Sequence, residues 1–303
     1  MSDTLSLVVL DSGLGGLSVL ADLAEKISKS SPKPIVNLTF FNAWPSLKYP
    51  YNLMSSQELK TKVFSDALYG TEAFNPEKVL IACNTLSVLL GQTEFARESD
   101  TKAVGIIEYG VNSILDKLTD NPDSKVLIAA TPTTIEANTH KEALLKAGIK
   151  EERIITQSYG RLAEKIESDP DSDIVRELIE QYTQEAKTKA QLGEEAKLYA
   201  ALCCTHYGYS MTGFQDSLNS IFNRHVEILN PNDAMSEGSI PATETPLSDV
   251  TINIKVVSRV PIEEDKIESI GAIIKRVSPA TEVALRQYLL DENLFNFDTT
   301  LFE

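Results

Sequence analysis

Strand-length apolar runs alternate with helix-period segments along almost the whole of this 303-residue chain, and no other feature restricts its fold as much. Nine runs read as strands: Leu5 to Leu10, Val36 to Phe41, Lys78 to Ala82, Lys102 to Ile106, Lys125 to Ala130, Arg153 to Gln157, Lys197 to Leu202, Val226 to Leu229 and Thr251 to Val257. Between them, Leu17 to Lys29, Ser55 to Tyr69, Ile135 to Ala147 and Ile174 to Leu192 repeat apolar residues at helical spacing. Strands that alternate with helices in this way build parallel sheets with crossover helices, so the expected class is α/β.

The spacing also points to an internal duplication. Seventy-two residues separate Asp11, at the end of the first strand, from Cys83, and 73 separate Thr131, at the equivalent strand end, from Cys204. Each half then presents a strand, a cysteine, two small polar residues and a helix, as "ACNT" and "CCTH". Open parallel sheets bind ligands at the carboxyl ends of their strands, where both cysteines fall. The expected organisation is two similar α/β domains, 1–104 with 212–303 and 105–211, whose thiols face each other across a cleft.

Composition removes several classes of function. Lys and Arg number 28 against 44 Asp and Glu, a net charge of −16, which argues against nucleic acid as a partner. Any anion site must be local, built from backbone N–H groups or one or two basic side chains. No stretch approaches the ~18 consecutive apolar residues of a membrane helix. The opening "MSDTLSLVVLDSG" has no basic region or cleavage-like segment, and three cysteines, two of them adjacent, make no disulfide framework. A cytoplasmic location is therefore expected. With three histidines and no CxxC, a zinc site has little to work with.

Two cysteines in matched positions are more than core filler. A thiolate on one side of a carbon acid and a thiol on the other can invert a stereocentre without a cofactor, one removing a proton and the other returning one to the opposite face. Each cysteine should precede a helix N-terminus, where partial positive charge favours thiolate. Asp11 opens "DSGLGG" directly after a strand and is either a helix N-cap or a catalytic carboxylate. Gly13, Gly15 and Gly16 fall short of a dinucleotide fingerprint, because Ser18 stands where that motif needs glycine or alanine. His206, two residues after Cys204, is a candidate proton partner, while Cys203 alternates to the other face and reads as packing. His140 and His225 read as surface residues.

Three segments look less regular. "FNAWPSLKYPYN" (41–52) is a proline-containing loop with the only tryptophan. Residues 230–249 are polar and read as a surface loop or disordered insertion, with a lid as the alternative. The acidic, aromatic tail from Asp291 to Glu303 reads as packing on its own domain, with a dimer contact as the alternative.

"VVLDSGLGGLSVL", "LIACNTLS", "VGIIEYG", "IAATPTT" and "LCCTHYG", in this order from about residue 5 to 235, resemble the glutamate racemase branch of the aspartate/glutamate racemase superfamily. That resemblance implies two α/β domains related by pseudo-twofold symmetry, a small-molecule amino-acid substrate, no cofactor, no metal and a homodimer. It implies that Cys83 and Cys204 are the catalytic thiols, that Asp11 assists the first, and that His206 stands beside the second. A family glutamate near that histidine corresponds to Glu167, ten residues after Gln157; a surface helix carboxylate is the alternative. Ser12, Asn84, Thr85 and Thr205 match residues that hold the substrate's amino and carboxylate groups, and Pro50 and Tyr51 survive from the family's Pro-Tyr-Gly loop. That loop is longer here by about two residues, lacks the family's aspartate and ends in Asn52. The usual proline after "CTHY" is Gly208.

The expected function is a cofactor-independent amino-acid racemase, glutamate racemase-like, acting by two-base proton transfer at Cα. Aspartate or a modified amino acid is the alternative substrate. Rival readings are a decarboxylase or cis–trans isomerase of a small dicarboxylate, a binding protein that has lost turnover and, third, a nucleotide-binding oxidoreductase.

Overall fold

Ten strands, all paired in parallel, form two sheets in the computed structural model, which describes residues 3–51, 54–191, 193 and 196–298. They are β1 (Thr4–Asp11), β2 (Ile35–Asn42), β3 (Lys78–Ile81), β4 (Lys102–Gly105), β5 (Lys125–Ala130), β6 (Ile154–Ser158), β7 (Leu198–Cys203), β8 (Val226–Leu229), β9 (Thr251–Ser258) and β10 (Leu289–Leu290). The first nine coincide with the apolar runs of the sequence. A strand of two residues such as β10 has no periodicity to detect.

The chain divides into two compact units. Unit 1 runs to Gly105 and resumes at Met235; its sheet has the order β10-β9-β2-β1-β3-β4. Its central β1 is flanked on both sides and buried almost throughout, as a parallel strand covered by helices on both faces must be. The helix Leu17–Lys29 follows β1 and buries Leu17, Leu20, Leu23, Ala24 and Ile27, one helical stripe, with Lys26 and Lys29 in its last turn. The tail is tied to this unit as far as it is described. Leu294 and Phe295 are buried, the Phe295 ring packs on Phe41, and Arg259 donates to the Phe295 carbonyl. Residues 299–303 lie outside the described residues.

Unit 2 is Ile106–Ala234, with the sheet order β6-β5-β7-β8. It does not end near residue 211: the helix Met211–Phe222 packs on the helix Asp173–Lys189, and β8 pairs with β7. Asp173–Lys189 is started by Ser172, whose side chain accepts the Val175 N–H, and ends with Lys187 and Lys189. Leu192, the expected end of that helix, lies outside the described residues.

Two expectations are corrected by local chemistry. The periodic stretch 135–147 is not one helix: Asn138, at φ 57°, adopts the left-handed conformation and separates Pro132–Ala137 from Thr139–Lys146. The stretch 230–249 is not all loop, for Pro231–Ser239 is a helix with Asn232, Met235, Ser236 and Ser239 buried. Its polar composition hides the helix, although a proline in the first turn is a helix-start signal.

Both units share one winding. In unit 1 the segment β1 to β4 is ordered β2-β1-β3-β4, and in unit 2 β5 to β8 are ordered β6-β5-β7-β8. The chain leaves the first strand of each set to one side and returns on the other. A crevice therefore opens in each unit where the carboxyl ends of β1 and β3, or of β5 and β7, diverge.

Candidate active site

In unit 1 that crevice holds Asp11, the last residue of β1, and Cys83, two residues beyond β3. Asp11 is buried and its Oδ1 accepts the Gly13 N–H at 3.0 Å. A Cβ at Gly16 would stand 2.9 Å from Ala82 Cβ and 3.0 Å from Asp11 Oδ2. The glycine-rich turn thus closes onto the carboxylate and the strand before Cys83. Cys83 Sγ lies 3.1 Å from Ser12 Oγ. Tyr51 packs in the same apolar cluster as Cys83, its hydroxyl buried without a hydrogen-bond partner. Asn84, next in sequence to the thiol, buries both amide heteroatoms without partners. Buried polar groups are normally bonded, so these atoms are free to receive a polar ligand. Pro50 is buried ahead of Tyr51 and Thr85 is half-buried after Asn84. Asn52 lies outside the described residues.

The Cys83 thiol is not held as thiolate. Burial, and then the charge of Asp11, push it up to about 12, against hydrogen bonds from Ser12 and the backbone that pull it down. The sequence expectation of a depressed thiol is corrected here because the helix after Cys83, Asn84–Ser87, has four residues and little dipole to offer. Burial, and then the charges of Cys83 and Asp66, hold the Tyr51 phenol well above its ordinary value.

Unit 2 arranges its thiol differently. Cys204 follows β7 in extended conformation, so it faces away from Cys203, which is fully buried. The chain then tightens into the turn Thr205–Ser210, bringing His206 Nδ1 to 3.8 Å from Cys204 Sγ. On the other side of the ring, His206 Nε2 lies 2.7 Å from Oε1 of Glu167, on the helix Leu162–Ser168. Glu167 is therefore not a surface carboxylate; its side chain is 14% exposed. Burial alone would lower the His206 pKa, but hydrogen bonds and charge from Cys204 and Glu167 outweigh it and hold the imidazole well above its usual value. With both ring nitrogens protonated, Nδ1 donates to the sulfur and Nε2 to the carboxylate.

Thr205 is buried, and its carbonyl accepts from Asn232 Nδ2 at 2.9 Å. The sequence reading missed Asn232 because it lies in the stretch taken for a loop. His225 is exposed, but His140 is not a surface residue. It is buried on the helix Thr139–Lys146, its Nε2 unpartnered, and burial lowers its pKa to about 4.

A cavity of about 590 Å³ in unit 1, lined by Thr61, Lys62, Asp66, Gln92, Arg97 and others, includes neither Cys83 nor Asp11. It holds neither a thiol nor a histidine, and the strand-end crevice is the better site. Among the described residues no group of three or more His, Cys, Asp or Glu is arranged to hold a metal ion, and no helix is long and apolar enough to cross a membrane.

No family model matches the chain. It is 27% identical over 251 residues to a glutamate racemase from Campylobacter concisus, covering 82% of this chain and 86% of that protein. Among solved structures it is similar to a glutamate racemase from Bacillus anthracis, with a TM-score of 0.66, 18% identity, and coverage of 95% and 96%. A glutamate racemase from Campylobacter jejuni superposes with a TM-score of 0.63 at 22% identity, covering 90% of this chain and 97% of that one. The likeness extends over most of the chain in sequence and nearly all of it in fold.

Proposed function

We propose that this chain, a relative of the glutamate racemases, is itself an amino-acid racemase with glutamate as its substrate, and that Cys83 and Cys204 are its two bases. One observation carries the reading. Two units of identical winding each place, just beyond their third strand, a cysteine with a proton-handling neighbour, Asp11 for Cys83 and the His206–Glu167 pair for Cys204. Duplicated acid–base positions are what inversion at a carbon acid needs, since a proton leaves one face and another arrives on the opposite face.

In the proposed step one thiolate takes the Cα proton and the C–H electron pair remains on the substrate, delocalised into its carboxylate. The other thiol gives its proton to the opposite face of Cα and becomes the thiolate. The chain ends one proton transfer away from its starting state, ready for the reverse direction. Cys83, held as thiol by burial and Asp11, suits the donor role at rest. Once deprotonated beside that carboxylate it is a strong base, as removal of a Cα proton requires. His206 supplies a counter-charge to the Cys204 thiolate, and Glu167 stabilises the imidazolium. The vacant Asn84 amide and Tyr51 hydroxyl are suited to the substrate's polar ends.

The test is interconversion of D- and L-glutamate, followed by circular dichroism with dialysed protein and no added cofactor, beside aspartate and other amino acids. Turnover of glutamate in both directions is expected, with Cys83→Ser and Cys204→Ser each slower by about 10²–10⁴-fold. Full activity in either variant would overturn the two-base assignment, and turnover of aspartate alone would overturn glutamate as the substrate.

A further inference from the structure

The relay in unit 2 exists only while Glu167 stays within reach of His206, and the two residues lie on different elements. Glu167 rides on Leu162–Ser168, a helix of seven residues without a side-chain cap, entered through Arg161 at a left-handed φ of 62°. A helix this short does not fix its own position; tertiary contacts must do so. Both of its flanks are tied to the turn Thr205–Ser210. Ahead of the helix, the Tyr207 hydroxyl donates to the Tyr159 carbonyl at 3.2 Å. Beyond it, Ser210 Oγ donates to the Pro170 carbonyl at 2.8 Å. Tyr159, Pro170, Tyr207 and Ser210 are all buried, so water does not compete for these bonds. The Tyr207 ring is also packed against Tyr159 and Phe214, at centroid distances of 5.9 and 5.2 Å.

We infer that Tyr207 and Ser210 are positioning residues: their two hydroxyls clamp the flanks of the Glu167 helix to the turn bearing Cys204 and His206, and so set the Glu167–His206 hydrogen bond. This rests on the racemase reading only in assigning that relay a catalytic use; the clamp itself is a statement about His206. Neither hydroxyl is bonded to the Cys204 thiol: that of Tyr207 goes to Tyr159 and that of Ser210 to Pro170. They act through the distance between the helix and the turn.

The experiment titrates His206 by NMR in the full chain without substrate, comparing wild type, Tyr207→Phe, Ser210→Ala and the double variant. The groups that face the His206 ring are Cys204, Glu167 and the Tyr209 ring, all unchanged in these variants. His140 and His225 serve as internal references. The double variant is expected to lower the His206 midpoint by about one unit, a tenfold change in proton affinity. Its kcat should fall by about 10- to 100-fold with KM less affected, since small misplacements of reacting groups have effects of that size. Ser210→Thr, which restores a hydroxyl, should recover the Ser210→Ala loss. A folded double variant whose His206 titrates as in wild type would overturn the inference. Should the double variant fail to fold, the single variants decide by the same criterion. The titration needs no turnover, so a failure of the racemase reading and a failure of the clamp would be seen separately.

Discussion

Cys83 and Cys204 are the same side chain in opposite surroundings. Cys83 has burial and the Asp11 charge to keep it a thiol, against a hydrogen bond with Ser12 that favours the thiolate, whereas Cys204 has an imidazole backed by a carboxylate. Asp11→Asn should therefore lower the Cys83 pKa from about 12, read by thiolate ultraviolet absorbance, because it removes the one charge that, after burial, raises it; no change would exclude Asp11 as its neighbour. His140 gives a second prediction. Its folded-state pKa of about 4 lies below the unfolded value, so the folded chain binds fewer protons in that window. The stability that a neutral His140 contributes is complete above about pH 6.5 and is lost as pH falls towards 4, by roughly 3 kcal/mol. Burial causes the shift, with no charge partner to offset it. Denaturant unfolding at neutral pH and near pH 4.5 should show that slope in wild type and a flatter one in His140→Phe; equal slopes would contradict it. The thiols, Asp11 and His206 were legible because each follows an apolar strand in a short polar motif. Glu167 was legible only through its spacing from Gln157, and the burial of His140 was not, because nothing local separates an inward from an outward histidine on a short helix.

At the scale of elements, the strand-and-helix alternation was readable because parallel strands are buried on both faces and appear as unbroken apolar runs. What was not readable is where one residue overrides a pattern. Asn138 breaks a periodic stretch by adopting φ 57°, a conformation that asparagine and glycine tolerate. Asn138→Ala should cost about 1 kcal/mol of stability while Asn138→Gly costs less, measured by denaturant unfolding; the reverse order would mean that the break is not set by this residue. Gly16 is tight for a different reason, since its missing side chain lets the turn approach Ala82 and Asp11. Gly16→Ala should destabilise by about 1–3 kcal/mol, the usual effect of overpacking, and disturb Asp11 and the Cys83 strand end together. A variant of wild-type stability with unaltered Cys83 titration would contradict that.

Over the whole molecule, the duplication seen as a 72- and 73-residue spacing reappears as the same strand order in both units. The unit boundary was harder to read. The chain leaves unit 2 only after β8, within the helix Pro231–Ser239, and no composition shift marks that point. The proton itself is the most direct test of the account. With D- or L-glutamate in D₂O, deuterium incorporation at Cα and optical inversion are measured together for wild type, Cys83→Ala and Cys204→Ala. Exchange with inversion is expected from both enantiomers in wild type, and loss of inversion in each variant; inversion that survives removal of either thiol would rule out the two-thiol step.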